Sequence, residues 1–241
     1  MFDIIAFDGD DTLWHNDLIF VETRHKFSSF LAKYTDPEGI EDKLNGTEIR
    51  NLRRYGYGLK GFALSMIETA IELTEERITA TEIKDIIKLA WEMQAAPLDL
   101  LDGVKETIDQ LSKPYKLMLI TKGDLFDQEA KVVQSGLGNY FSHVEIVSEK
   151  NQRTYEAIIR KYSLAHHRFL MVGNSLKSDI LPVLAIGGKA VYIPYKTTWS
   201  HETVPESAIS KEKLVSLERI SLLPAYLDQL KEKSLLYDHL L

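Results

Sequence analysis

From Pro97 onward the chain alternates between short apolar runs and amphipathic stretches, and this alternation limits the possible folds more than any other feature. Segments 115–121, 143–147, 169–172 and 190–193 read as strands. Segments 104–111, 124–134, 151–162 and 176–186 read as helices between them. Such alternation is the signature of a parallel sheet wrapped by helices. Near the start, 3–8 contains the apolar run Ile4-Ile5-Ala6-Phe7, bounded by acids and Gly9, which reads as one more buried parallel strand. A lone buried strand needs neighbours, so it belongs to the same sheet.

Between these parts the pattern is helical. Asn16-Asp17 can cap a helix reaching about residue 34, with Leu18, Val21, Phe27, Phe30 and Leu31 as its apolar stripe. Asp36-Pro37 offers the N-cap and N1 pairing for a second helix, ending near Tyr55-Gly56. A third follows Gly61. A fourth opens at Thr79-Ala80-Thr81-Glu82, carries Ile83, Ile86, Ile87, Ala90 and Trp91, and must stop before Pro97. Four helices without a strand predict a compact helical insert over 15–98. The sheet-bearing core is then discontinuous, 1–14 plus 99–241, with a covering helix at 222–230.

Composition narrows the function. The chain has 241 residues, 44% apolar and 27% charged, as soluble globular proteins do. A net charge of -7 argues against a partner that is a nucleic-acid polymer. There is no cysteine, which excludes disulfides, thiol catalysis and thiolate metal sites. Asp3 and Asp8 interrupt any signal-like N-terminal run, and no apolar stretch reaches the ~20 residues of a membrane span. The expectation is a cytoplasmic protein with no membrane partner, as a monomer or homodimer.

Chemistry-bearing residues follow each main strand. Asp8 and Asp10 follow the first and Thr121-Lys122 the second; Lys150 lies past the third, and Gly173-Asn174 through Asp179 past the fourth. Parallel strands bring their C-terminal ends to one edge, where ligands of open α/β sheets bind. Two carboxylates as close as Asp8 and Asp10 need a cation or a shared proton between them.

This ordered set resembles the haloacid dehalogenase-like (HAD) hydrolase superfamily: Asp-x-Asp-x-Thr, then Thr, then Lys, then a Gly-Asp-x-x-x-x-Asp type loop. Here that loop begins Gly173-Asn174, so one negative charge is missing. The resemblance implies a Rossmann-like three-layer α/β/α parallel sheet and an inserted α-helical cap of the C1 type. It also implies magnesium-dependent hydrolysis of a phosphate monoester. In that reading Asp8 attacks phosphorus and forms an aspartyl phosphate, and Asp10 is the general acid and base. Mg2+ is held by Asp8, the Asp10 backbone carbonyl and Asn174, with Asp179 binding directly or through water. Thr121 and Lys122 bind the phosphoryl group, and Lys150 pairs with Asp8 and phosphate. Dehalogenases typically lack an acid at the position of Asp10, since a halide leaves without a proton.

The expected substrate is a small phosphorylated metabolite, such as a nucleotide, flavin mononucleotide or sugar phosphate. Within the insert, Arg54, Tyr55, Tyr57 and Lys60 form either a substrate loop or a turn with packed tyrosines and solvated charges. Trp199 either stacks on a substrate ring or anchors its loop. A phosphomutase, a 2-haloacid dehalogenase and a non-catalytic binding protein on the same scaffold are the competing readings.

Overall fold

The computed structural model describes residues 2–37, 39–197, 199–205, 207 and 214–238. Its strands are β1 (Ile4–Phe7), β2 (Lys116–Lys122), β3 (Phe141–Val147), β4 (Phe169–Gly173), β5 (Lys189–Tyr192) and β6 (Val215–Ser216). Its helices are α1 (Asp17–Leu31), α2 (Ile40–Tyr55), α3 (Leu59–Leu73), α4 (Ala80–Ala95), α5 (Val104–Ser112), α6 (Leu125–Gln134), α7 (Gln152–Lys161), α8 (Leu181–Ala185) and α9 (Leu223–Asp238). Among the described residues, no helix is long and apolar enough to cross a membrane.

The strands form one sheet in the order β3-β2-β1-β4-β5-β6, with every neighbouring pair parallel. The chain fills one side of β1 with β2 and β3, then crosses to the other side with β4, β5 and β6. The reversal falls between β1 and β4, the topological switch point where such sheets open a crevice. Alternation along β1 sorts the core into two layers. Ile5 and Phe7 pack with Val104 and Ile108 of α5 and Leu223 and Leu227 of α9. Ile4 and Ala6 pack with Tyr155 and Ile158 of α7 and Val183 of α8. The fold is the expected α/β/α sandwich.

Helices α1–α4 share an apolar cluster of their own, including Phe27, Leu44, Phe62, Met66 and Ile86. Thr79 and Glu82 form a reciprocal capping box at the start of α4. The chain's two crossings between this bundle and the sheet lie side by side. The His15 amide donates to the Asp99 carbonyl at 2.9 Å and the Leu101 amide to Leu13 at 3.0 Å, beside the fully buried Trp14.

Several local expectations need correction. Helix α1 stops at Leu31, and Asn16 makes no side-chain cap. Asp11 caps instead, its Oδ1 accepting the amides of Asn16 at 2.9 Å and Asp17 at 3.0 Å. Helix α2 starts at Ile40 rather than at Asp36-Pro37, because Gly39 takes a left-handed φ of 96° that breaks the run. Leu18 and Trp91 are exposed rather than packed in their stripes. On α4 the buried row is Ile86, Ala90 and Met93, and Trp91 lies about 100° further round the helix. The helix expected over 176–186 is in two parts, a wide π turn at Leu176–Ile180 followed by α8. Pro182 in the first turn of α8 cannot donate a backbone hydrogen bond, so a continuous helix is interrupted there. Strand β6 has two residues, too few to leave a periodic signal.

Candidate active site

The C-terminal ends of β1, β2 and β4 meet a cavity of about 220 Å3, which α1, α2, α3 and the loop after β5 close from the other side. Asp8, Asp10, Thr121, Lys122, Lys150, Asn174 and Asp179 all line it. Thus strand ends far apart in sequence converge, as their shared edge requires.

Asp8 extends β1, its amide donating to the Val172 carbonyl at 2.9 Å, and is 7% exposed. Lys150, itself buried, donates to Asp8 Oδ1 and to Asp179 Oδ1, the second contact at 2.7 Å. Burial, reinforced by the Asp179 carboxylate, pushes Asp8 up to about 7 even though Lys150 pulls it down. Burial opposes the charged form of Lys150, yet the attraction of Asp179 and Asp8 outweighs it and holds that ammonium above its usual range. Asp179 is completely buried, and its Oδ2 accepts the Ser175 amide at 3.0 Å.

Gly173 makes this possible. A Cβ at that position would stand 2.3 Å from Asp179 Oδ2. Only a glycine lets the carboxylate fold back under β4, and the wide π turn carries Asp179 there. Gly173→Ala is expected to lower stability by roughly 1–3 kcal/mol through overpacking. Urea denaturation measures this, and an unchanged midpoint would show that the turn can relax without cost.

Asp10 is gripped by donors. Trp14 Nε1 stands 2.7 Å from Oδ1, Gln128 Nε2 2.9 Å from Oδ2, and Lys131 Nζ 3.1 Å from each oxygen. Buried Thr121 donates its hydroxyl to Gln128 Oε1 at 2.8 Å, so Gln128 links the second strand end to Asp10. Burial disfavours the Lys131 ammonium, but Asp10 and Asp127 outweigh it and raise its affinity for the proton. Gln128 and Lys131 escaped the sequence reading. Their spacing of three on α6 puts both on one helix face, a signal readable in the sequence.

Lys122 is engaged elsewhere. Its ammonium donates to Glu202 Oε1 at 2.6 Å and Ser178 Oγ at 3.1 Å, and lies 3.9 Å from the centre of the Tyr57 ring. Burial acts to raise Glu202, but Lys122 and the Ser175 and Ser178 hydroxyls override it and hold that carboxyl down at about 2. Glu202 belongs to the run 198–202, whose place after the last strand sets it at the mouth of the site, but nothing local marks its pairing with a lysine 80 residues away.

Asn174 turns its side-chain amide toward the acids. The outward atom of that amide stands 3.1 Å from Asp8 Oδ2, 3.1 Å from Thr12 Oγ1 and 3.3 Å from the Asp10 carbonyl oxygen. Three acceptor oxygens facing one another need either an amide turned to present its NH2 group or a cation among them. Spacings near 3 Å are those of neighbouring oxygens around a small hard cation with ligands at roughly 2.0–2.1 Å. The donor set therefore fits magnesium. It contains one carboxylate, one amide and one carbonyl. Among the described residues no group of three or more His, Asp or Glu side chains forms an alternative metal cluster.

The residues singled out on the insert divide between the cavity and the surface. Arg54 and Tyr55 are exposed on the last turn of α2 and do not line the cavity. Lys60 lies outside it too, paired with Asp124 at 3.0 Å. Tyr57 lines the cavity and donates to Glu149 at 2.9 Å. Trp199 lines it and donates to Asn45 of α2 at 3.0 Å; its neighbour Thr198 lies outside the described residues.

An open parallel sheet with an acid pair and a buried lysine at its switch point defines a class of α/β enzyme. The model of the haloacid dehalogenase-like hydrolase family matches residues 2–187, and the chain belongs to that family. A solved haloacid dehalogenase-like family hydrolase from Xanthomonas campestris superposes with a TM-score of 0.85 at 40% identity, covering 96% of this chain and 93% of that one. A curated protein of Methanothermobacter thermautotrophicus named glyceraldehyde 3-phosphate phosphatase is 32% identical over 96 residues, 38% of this chain and 42% of its own. The chain thus spans less than half the length of that relative. The Escherichia coli protein named 5-amino-6-(5-phospho-D-ribitylamino)uracil phosphatase YigB is 23% identical over 230 residues, 86% of this chain and 92% of its own.

Proposed function

We propose that the chain is a magnesium-dependent phosphomonoester hydrolase acting on a small phosphorylated metabolite. The observation that carries this reading is the division of labour at Asp8. Lys150 meets Oδ1, while Oδ2 faces the Asn174 side-chain amide, which also faces the Asp10 carbonyl. When bound among Asp8, the Asp10 carbonyl and Asn174, magnesium would neutralise charge on the phosphoryl oxygens and keep Asp8 ionised. Asp179, with one oxygen on Lys150 and the other on the Ser175 amide, supports the site from behind.

In the first half-reaction an Asp8 oxygen attacks phosphorus and the bond to the leaving oxygen breaks. Asp10, releasing one of its contacts with Lys131 to carry a proton, gives that proton to the leaving oxygen. In the second, Asp10 takes a proton from water, whose oxygen attacks phosphorus and frees Asp8. Lys150 and the Thr121 hydroxyl offset charge on the phosphoryl group. Residues 15–98 act as a cap that closes over the site, hinged where the Leu13–His15 and Asp99–Leu101 crossings are hydrogen-bonded. Lys122, tied to Glu202 and stacked on Tyr57, serves this closure rather than the phosphate. The same reading sets the enzyme in the cytoplasm, consistent with its cysteine-free sequence.

The test is hydrolysis of p-nitrophenyl phosphate with and without magnesium. Activity that disappears with EDTA and returns with added Mg2+ is expected. Asp10→Asn is expected to slow alkyl phosphates more than this aryl ester, whose leaving group needs little protonation. Metal-independent turnover, or halide release from a 2-haloacid in place of phosphate release, would overturn the reading.

A further inference from the structure

We propose that the site selects monophosphates whose remaining part is uncharged and offers hydrogen-bond donors, and that it discriminates against substrates carrying a second anionic group. The inference rests on the phosphatase reading above and concerns the part of the substrate remote from phosphorus.

The first support is charge. Four basic side chains line the cavity against eight acidic ones, among the described residues. Each basic group already has a carboxylate: Arg24 has Glu48, Lys122 has Glu202 at 2.6 Å, Lys131 has Asp10 at 3.1 Å, and Lys150 has Asp179 at 2.7 Å. Magnesium and Lys150 would compensate the phosphoryl group at the Asp8 end. Higher in the cavity, Arg24 is the one basic lining residue described on α1–α4, and Glu48 closes it. Among the described residues, a second carboxylate or phosphate there would face no free cation, or would have to break that buried pair.

The second support is an unmet hydrogen bond. Asn51 is 1% exposed and lines the cavity, yet its Oδ1 has no partner among the described residues. Its amide nitrogen is already committed to Ser65 at 3.2 Å and Glu68 at 2.6 Å. What remains is a buried acceptor on the cavity wall, suited to an O–H or N–H of the substrate. The Thr197 hydroxyl, also lining the cavity, is equally unmet among the described residues. The Phe20–Phe62 pair, 5.0 Å between centroids, and the Tyr57–Trp199 pair, 6.2 Å, supply apolar and flat surface. The pattern suits a hydroxylated or amide-bearing neutral group.

Glycerol 3-phosphate and 3-phosphoglycerate differ by a neutral CH2OH against a carboxylate, so they test the idea in one comparison. With magnesium present, kcat/KM is expected to be at least about tenfold higher for glycerol 3-phosphate, chiefly through KM. Glu48→Gln, which frees the Arg24 charge, is expected to narrow that ratio by lowering KM for 3-phosphoglycerate. Equal or better turnover of 3-phosphoglycerate by the unaltered enzyme would overturn the proposal, and that measurement stands whether or not the variant folds. Hydrolysis of p-nitrophenyl phosphate alongside such a result would leave the phosphatase reading intact. Failure to hydrolyse any phosphate ester would remove both.

Discussion

Asp8→Asn is expected to reduce phosphate release by about five orders of magnitude, because an amide cannot form the covalent intermediate. The substitution is nearly isosteric. It removes one of two carboxylates that share Lys150, and Asp179 remains to hold that ammonium at 2.7 Å. The pair of acids is buried, so losing one of them relieves repulsion rather than leaving an unpaired charge. Thermal stability is therefore expected to hold or rise while activity disappears. Parallel melting and phosphate-release assays separate the two effects. A variant that keeps substantial turnover would show that another group attacks phosphorus.

Lys150→Met is expected to have the largest effect on stability. The lysine's side chain is 2% exposed and bridges Asp8 and Asp179, so its loss strands two carboxylates in a dry site. Removing one partner of a buried pair costs about 3–5 kcal/mol. For a protein of this size that is a fall in Tm of roughly 10 °C. Activity is lost as well, since the phosphoryl group then meets uncompensated acids. Because Lys150 opposes the burial and Asp179 effects that push Asp8 up to about 7, its removal also drives Asp8 further toward its protonated form. A variant melting within a degree or two of the parent would mean that the acids find another counter-charge.

These two outcomes concern residues legible in the sequence. An apolar run ending in Asp8 and Asp10, a hydroxyl after β2, a lysine after β3 and a Gly-Asn loop after β4 each mark a strand end. Parallel pairing brings strand ends together whatever the loops do. The acids and the lysine therefore meet, and the strands from β1 to β5 start within two residues of expectation. Helix boundaries were less legible where special backbone decided them. Gly39 delays α2, and the π turn before α8 is invisible to a periodicity of 3.6.

Some residues of the site were readable in principle. Helix α2 buries Ile40, Leu44, Thr47, Glu48 and Asn51, so polar residues continue along its apolar row. Polar side chains on the packed face of a helix mark a place where something must satisfy them. Gln128 and Lys131 share such a face on α6. For Arg54, Tyr55 and Lys60 the sequence leaves both a substrate loop and a solvated turn open, because a local cluster of charge and rings says nothing about which way a helix end turns. α2 runs on through Tyr55 and carries the first two away from the cavity.

By itself the sequence determined the parallel α/β core, the helical insert and the edge of the sheet where Asp8, Asp10, Thr121, Lys150, Asn174 and Asp179 gather. Those follow from periodicity and chain order, which are properties of neighbours along the chain. Only the tertiary structure decided which charges are already spent. Glu202 claims Lys122, Asp10 claims Lys131 and Glu48 claims Arg24, each across elements that sequence distance does not relate. Ion pairing depends on where two side chains end in space and how dry that place is. Those two quantities set the charge balance of the cavity above Asp8, and neither can be read along the chain.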